Sequence, residues 1–147
     1  MSHLTSLPVA VIGAGPIGLA AAAHLIRYQQ PLIVLEAGAG PGATVGEWRH
    51  VRMFSPWRYN VDRAARELLE SSGWTAPNPD ALPTGGDVVD RYLTHLAAHP
   101  SLAPYIRFNA RVTAVGRKDF DKVRTTGRDQ QPFDIRLASC ETVEDGC

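Results

Sequence analysis

Apolar residues in this chain fall into three patterns, each predicting a different element. Val9, Val11 and Ile12 form one short uninterrupted run, and Pro31-Leu-Ile-Val-Leu-Glu36 forms a second. Such runs fit central parallel strands covered on both faces. Between them the Ala-rich stretch from Leu19 to Leu25 continues as helix to about Tyr28. Val61, Ala64, Ala65, Leu68 and Leu69 recur at helical spacing, with Asp62 and Glu67 towards solvent and Gly73 as the stop. Val89, Leu93, Leu96 and Ala97 line a further helical face that ends at Pro100. Ahead of it, Thr84-Gly-Gly-Asp87 reads as a capping box with Asp in place of Glu. Ile106-Arg-Phe108 and the stretch from Ala110 to Val115 read as strand. Phe133-Asp-Ile-Arg-Leu137 alternates strictly, as an antiparallel strand with one wet face does.

Chemistry enters where the first run ends, in Val9-Ala-Val-Ile-Gly-Ala-Gly-Pro-Ile-Gly18. Gly13 permits a tight turn, Gly15 leaves room for a pyrophosphate, and Gly18 lets a helix pack closely on the strand. Pro16 suits the first helical turn, where its missing N–H costs nothing. The helix start then offers about half a positive elementary charge and unpaired N–H groups to a diphosphate. Glu36 lies about twenty residues beyond the turn, where a carboxylate accepts the ribose hydroxyls of an adenosine. Strand, glycine turn, helix, strand and acid in this order point to a dinucleotide site. The Gly-rich loop from Ala37 to Gly46 fits close backbone approach to a ligand. It leads into Trp48, Phe54, Trp57 and Tyr59 interleaved with Arg49, Arg52 and Arg58, read either as a wall around a flat anion or as a small aromatic core with solvated arginines.

Composition narrows the class. At 147 residues the chain suits one domain with a real core. Lys+Arg and Asp+Glu both number 15, so no global field recruits nucleic acid or an anionic membrane. Leu7 to Ile26 is almost uncharged and about long enough to cross a bilayer. Gly-Ala-Gly-Pro interrupts it, however, and only His3 precedes it, so neither a signal peptide nor an anchor is expected. Cys140 and Cys147 offer no disulfide framework, and a reducing cytoplasm is the expected compartment. His95 and His99, one helical turn apart, lack an accompanying acid or cysteine cluster and read as surface histidines, so no metal site is expected. Arg117, Lys118, Lys122, Arg124 and Arg128, diluted by Asp119, Asp121 and Asp129, read as a solvated hairpin surface.

A plain nicotinamide-binding Rossmann domain returns to a third buried strand soon after its acid. Here the next convincing strand waits until Ile106, which predicts an α/β Rossmann-like fold with a helical insertion at about 37–105 and an antiparallel β-meander at about 106–139. The ordered motifs resemble those of FAD-dependent pyridine-nucleotide oxidoreductases with two dinucleotide-binding domains, and most closely flavin-containing and Baeyer–Villiger-type monooxygenases. The matching pieces are Val-Ile-Gly-Ala-Gly-Pro-Ile-Gly18, Val-Leu-Glu36, the loop to Trp48, Met-Phe-Ser-Pro56, Leu-Pro-Thr84 before Tyr92-Leu93, and Ala-Arg-Val-Thr-Ala-Val115. The likeness extends to about Leu137. The Gly-Gly-x-Trp usual in that family becomes Gly42-Ala-Thr-Val-Gly46-Glu-Trp48 here.

The resemblance implies an FAD/NAD(P)-binding domain, partial within 1–147, that serves an NAD(P)H-dependent, monooxygenase-like oxidoreductase. It implies cofactor contacts from Gly13, Ala14, Gly15, Pro16, Ile17, Gly18, Glu36, Ala37, Trp48 and Val112, the last bordering the adenine. No catalytic acid or base is nominated, because the flavin would carry the chemistry. The family's second glycine fingerprint for NADPH and its FAD-closing segment have no counterpart here, so the chain reads as truncated. A second polypeptide supplying the NADPH domain is one expectation. A nucleotide-binding remnant, half of a split flavoenzyme, and a small NAD(P)-dependent reductase are the alternatives. Glu36→Ala is expected to weaken FAD binding while leaving the fold largely intact.

Overall fold

The computed structural model describes residues 7–119 and 126–138. His3, Asp121, Lys122, Arg124, Cys140 and Cys147 lie outside the described residues. The apolar runs form β1 (Val9–Ile12) and β2 (Leu32–Leu35), joined by α1 (Pro16–Arg27). β1 and β2 pair in parallel, Val9 opposite Leu32 and Ile12 opposite Leu35. β3 (Ile106–Arg107) then pairs in parallel with the other edge of β2, giving the order β1-β2-β3. The third parallel strand therefore does arrive only after the helical insertion.

Pro16 stands in the first turn of α1, as its fixed φ favours, and Tyr28 closes the helix. Leu19, Ala22 and Ala23 are the buried face of α1, and small side chains there bring it close to the sheet. The insertion holds the short α2 (Ala43–Gly46) and α3 (Trp57–Asn60), then α4 (Arg63–Ser71). Its last helix begins as α5 (Gly85–Val88), widens into a π-helical turn at Val89–Leu93 and continues as α6 (Thr94–Ala97). The capping box forms as the sequence predicts: the Asp87 N–H donates to Thr84 Oγ1 at 3.1 Å, and the Thr84 N–H donates to Asp87 at 2.8 Å. Leu69 from α4 with Tyr92, Leu93 and Leu96 from the last helix builds a core continuous with Leu19 and Val34.

Five expectations change. Asp62 is half-buried rather than simply solvent-facing; it caps α4, accepting the Ala65 N–H at 3.1 Å, and pairs with His24 of α1 at 3.1 Å. His99 is buried rather than at the surface, and its Nδ1 accepts the Ser101 N–H. β1 is not a covered central strand among the described residues: it is an edge, with Val9 and Ile12 44% and 55% exposed. β4 (Val112–Arg117) and β5 (Phe133–Leu137) make an antiparallel hairpin. It starts at Val112 rather than Ala110, because the Ala110 N–H is held by the Glu36 carbonyl at 2.8 Å. Of the alternating β5 side chains only Ile135 is half-buried; Phe133 and Leu137 are exposed, so the expected dry face is largely uncovered. No helix among the described residues is long and apolar enough to cross a membrane.

Candidate functional site

The glycine turn is shaped by two local demands. Gly13 takes φ +101°, a conformation a side chain disfavours, while its N–H donates to Leu35 O at 2.8 Å and ties the turn to β2. Gly18 is required by closeness: a Cβ there would lie 1.9 Å from the Gly13 carbonyl oxygen. Gly15 is different. A Cβ on it would meet nothing within 4 Å, and its φ of −81° and ψ of −173° suit any residue. The fold itself therefore does not ask for glycine at position 15, and the space beside it is open.

Glu36 reaches back from the end of β2 into this turn. One carboxylate oxygen accepts the buried Ala14 N–H at 2.6 Å, and the other accepts the Gly38 N–H at 2.7 Å. The carboxylate is thus a clasp between the glycine turn and the next loop. Gly42 adds a second tie, its N–H donating to Ala14 O at 2.9 Å. On the far side of β2, Asn109 and Ala110 donate to the carbonyls of Gly38 and Glu36. This brings Val112, two residues on, towards the same end of the sheet. Gly13 to Gly18, Glu36, Ala37 and the approach to Val112 accordingly converge at the C-terminal ends of β1 and β2, where open α/β sheets bind ligands. Ile17 is 83% exposed at the mouth. α1 carries no acidic residue in its first turn and no side-chain cap, so its leading N–H groups are not engaged by a cap.

Trp48 does not join this cluster through a side-chain hydrogen bond. Half-buried, it lies over the start of α5, so close to Gly85 that a Cβ there would sit 2.6 Å from the indole ring. The aromatic-arginine loop divides between the two readings given for it. Trp57 is buried in the core, while Phe54 is 99% exposed and Tyr59 also faces out. Arg49 pairs with Asp90 and Arg58 with Asp80, and Arg52 donates to the Leu82 carbonyl. Their positive charge is largely answered inside the protein. Asn60, which the sequence did not single out, gathers the loop by donating to the carbonyls of Ser55 and Pro56. Gly38 also went unnoticed as an individual residue; a Cβ there would lie 2.4 Å from that of Ala43 and 3.2 Å from the Glu36 carboxylate. The signal for it was only the glycine density of the loop.

Residues 11–76 match the family profile described as an NAD(P)-binding Rossmann-like domain. A putative flavin-containing monooxygenase 2 of Arabidopsis thaliana is 38% identical over 108 residues, covering 74% of this chain and 22% of that protein. The structure of OTEMO in complex with FAD and NADP superposes with a TM-score of 0.64 at 21% identity, over 93% of this chain and 24% of that one. An oxidized steroid monooxygenase bound to NADP matches with a TM-score of 0.58 at 26% identity, over 76% of this chain and 21% of that one. The chain thus spans between a fifth and a quarter of the length of these relatives. Its Rossmann-like α/β fold and its likeness to flavin monooxygenases, both read from the motifs, agree with these matches.

Proposed function

We propose that the end of the sheet holds the ADP part of FAD and that the chain is the FAD-binding portion of an NAD(P)H-dependent, monooxygenase-like oxidoreductase. The observation that carries this is Gly15: a glycine the fold does not need, beside open space, at the start of a 12-residue helix with uncapped N–H groups. A diphosphate fits that space because the helix start donates to it and no acid of the first turn repels it. Gly13, Ala14, Gly15, Pro16, Ile17 and Gly18 would line the diphosphate, and Glu36 with Ala37 the ribose. Each Glu36 oxygen already accepts one N–H and keeps a lone pair for a hydroxyl. Val112 would border the adenine. Trp48, half-buried, would flank the flavin on the strength of its motif position.

When bound, the flavin supplies hydride acceptance and oxygen activation. The residues of this chain bind and orient it, and none is assigned as acid or base. NADPH would be held by another dinucleotide unit, on a second polypeptide if not on this one. A second reading, a small NAD(P)-dependent reductase, is favoured by the family profile over residues 11–76.

Titration of the purified protein with FAD and, separately, NADPH distinguishes the two. The expected result is tighter binding of FAD, weakened roughly tenfold or more by Gly15→Val, with the melting temperature lowered by only a few degrees, as the loss of a glycine N-cap predicts. A preference for NADPH, or equal FAD affinity in parent and variant, would overturn the assignment.

A further inference from the structure

The last helix of the insertion is α-helical at both ends and wide in the middle. Over Val89–Leu93 it makes a π-helical turn, in which the Thr94 N–H donates to the Val89 carbonyl five residues back. One extra residue in a turn rotates everything after it by about 100° relative to an uninterrupted α-helix, so the turn sets which side chains face the neighbouring loop. Two other segments hold it in place. The Trp74 indole N–H donates to the Arg91 carbonyl at 2.9 Å, and the Asp62 N–H donates to the buried Tyr92 hydroxyl at 3.3 Å. The first and last residues of the turn meet the glycine-rich loop: a Cβ on Gly42 would lie 2.7 Å from Leu93 Cδ1 and 3.2 Å from Val89 Cγ2. Gly42 also takes φ +64°, so its conformation and its surroundings both call for glycine, unlike those of Gly15.

We infer, on the function proposed above, that this π-helical turn positions the diphosphate seat, Val89 and Leu93 bedding Gly42 so that Gly42 in turn orients the peptide between Ala14 and Gly15. The Gly42 N–H donates to the Ala14 carbonyl at 2.9 Å. That carbonyl shares a peptide plane with the Gly15 N–H, and in a trans peptide the two point in opposite directions. Holding the carbonyl towards Gly42 therefore sends the Gly15 N–H the other way, where it donates to no group among the described residues. The preceding peptide is fixed separately, by Glu36 on the Ala14 N–H. Both peptides of Ala14 are thus set from outside the turn, one by β2 and one by the insertion. Gly42, Val89 and Leu93 are positioning residues: none touches the diphosphate, and each acts through the direction of the Gly15 N–H. The long insertion between β2 and β3 then has a part in the nucleotide seat, which it reaches through Gly42.

The test is a double-mutant cycle of Gly42→Ala and Leu93→Val on the full chain, read by FAD titration and by amide exchange at position 42 without ligand. Gly42→Ala should weaken FAD roughly tenfold or more and speed exchange at position 42, as the new methyl pushes the loop off the helix. Leu93→Val alone should weaken FAD severalfold, because the bed under Gly42 loosens. Added to Gly42→Ala, the same change should instead tighten FAD binding, because it removes the methyl that the new Cβ strikes. A role in stability alone predicts no such reversal of sign. A double variant that binds FAD no more tightly than Gly42→Ala would overturn the proposal, as would parent-like affinity and exchange in Gly42→Ala. Should Gly42→Ala fail to fold, Leu93→Val decides: exchange at Gly42 should quicken more than at the β2 amides, and parent-like exchange and affinity would overturn the proposal. A parent chain that binds no FAD would instead remove the nucleotide seat itself, and this role with it.

Discussion

Replacing Glu36 with Gln tests the clasp on the glycine turn without changing side-chain size. In the parent both carboxylate oxygens accept, from Ala14 N–H at 2.6 Å and Gly38 N–H at 2.7 Å. Gln keeps one acceptor and puts an NH2 group where the other stood. Whichever way the amide turns, one backbone N–H faces a donor. If it is that of Ala14, which is wholly buried, no water can take the place of the lost acceptor. A hydrogen bond to a charged group contributes about 1.5–3 kcal/mol, and an unsatisfied buried group costs about 1–3 kcal/mol. These overlap, so a net loss of about 2–4 kcal/mol is expected, a large share of the roughly 5–15 kcal/mol that holds a domain folded. Near 2–4 °C per kcal/mol, the melting temperature should fall by roughly 5–15 °C. Thermal and urea unfolding at neutral pH, without nucleotide, provide the assay. A Glu36→Gln protein melting with the parent, at unchanged urea slope, would refute the reasoning. The same geometry revises the expectation that Glu36→Ala spares the fold, since Ala removes both acceptors. Loss of nucleotide affinity in a Glu36 variant is therefore interpretable only beside its stability.

Gly18→Ala should be far worse than Gly15→Ala: its Cβ would sit 1.9 Å from a backbone oxygen, against open space at Gly15. A loss of about 3 kcal/mol or more is expected in urea unfolding for the first and little change for the second. Acid should loosen two helix starts. The Thr84 N–H, then its hydroxyl and nearby arginines, hold Asp87 below its ordinary value of 3.8, against the opposing effect of burial. Burial pushes Asp62 up, but the Ala65 N–H and the His24 ring outweigh it and leave that carboxyl lowered as well. A depressed folded value means stability fully present above the unfolded value and lost as pH falls through the folded one. The parent should therefore weaken below about pH 4, and Asp87→Asn should lose less on acidification, as stability measured against pH would show.

The motifs that were legible are those whose partners lie a few residues away. Thr84 and Asp87 meet within one helical turn, so spacing alone fixed their bond. Gly18 meets Gly13 within the same tight turn, and its need for no side chain follows from the fingerprint. Asp62 and His99 were misplaced for the opposite reason. The solvent-facing position of Asp62 on an amphipathic pattern says nothing of His24, 38 residues earlier, on the helix packed against it. Whether β1 is an edge or a centre likewise depends on what lies beside it, which an apolar run of four residues does not record.

Glu36 joins both cases. Its spacing from the glycine turn marks it as a carboxylate for a ribose. Its hold on Ala14 emerges only when β1 and β2 align in parallel, Val11 opposite Val34 and Ile12 opposite Leu35. That register carries the residue after β2 level with the turn after β1, and the carboxylate fills the gap. One side chain thus braces the glycine turn and, on the function proposed above, would also contact the ribose. The turn bent by Gly13 and braced by Glu36 presents the start of α1 whether or not a ligand is there. Preorganisation of this kind lowers the ordering cost of binding. By the same token, a substitution at Glu36 would alter the turn and the proposed ligand contact together, whereas a side chain at Gly15, where an added Cβ meets nothing within 4 Å, would act chiefly on the space beside the turn.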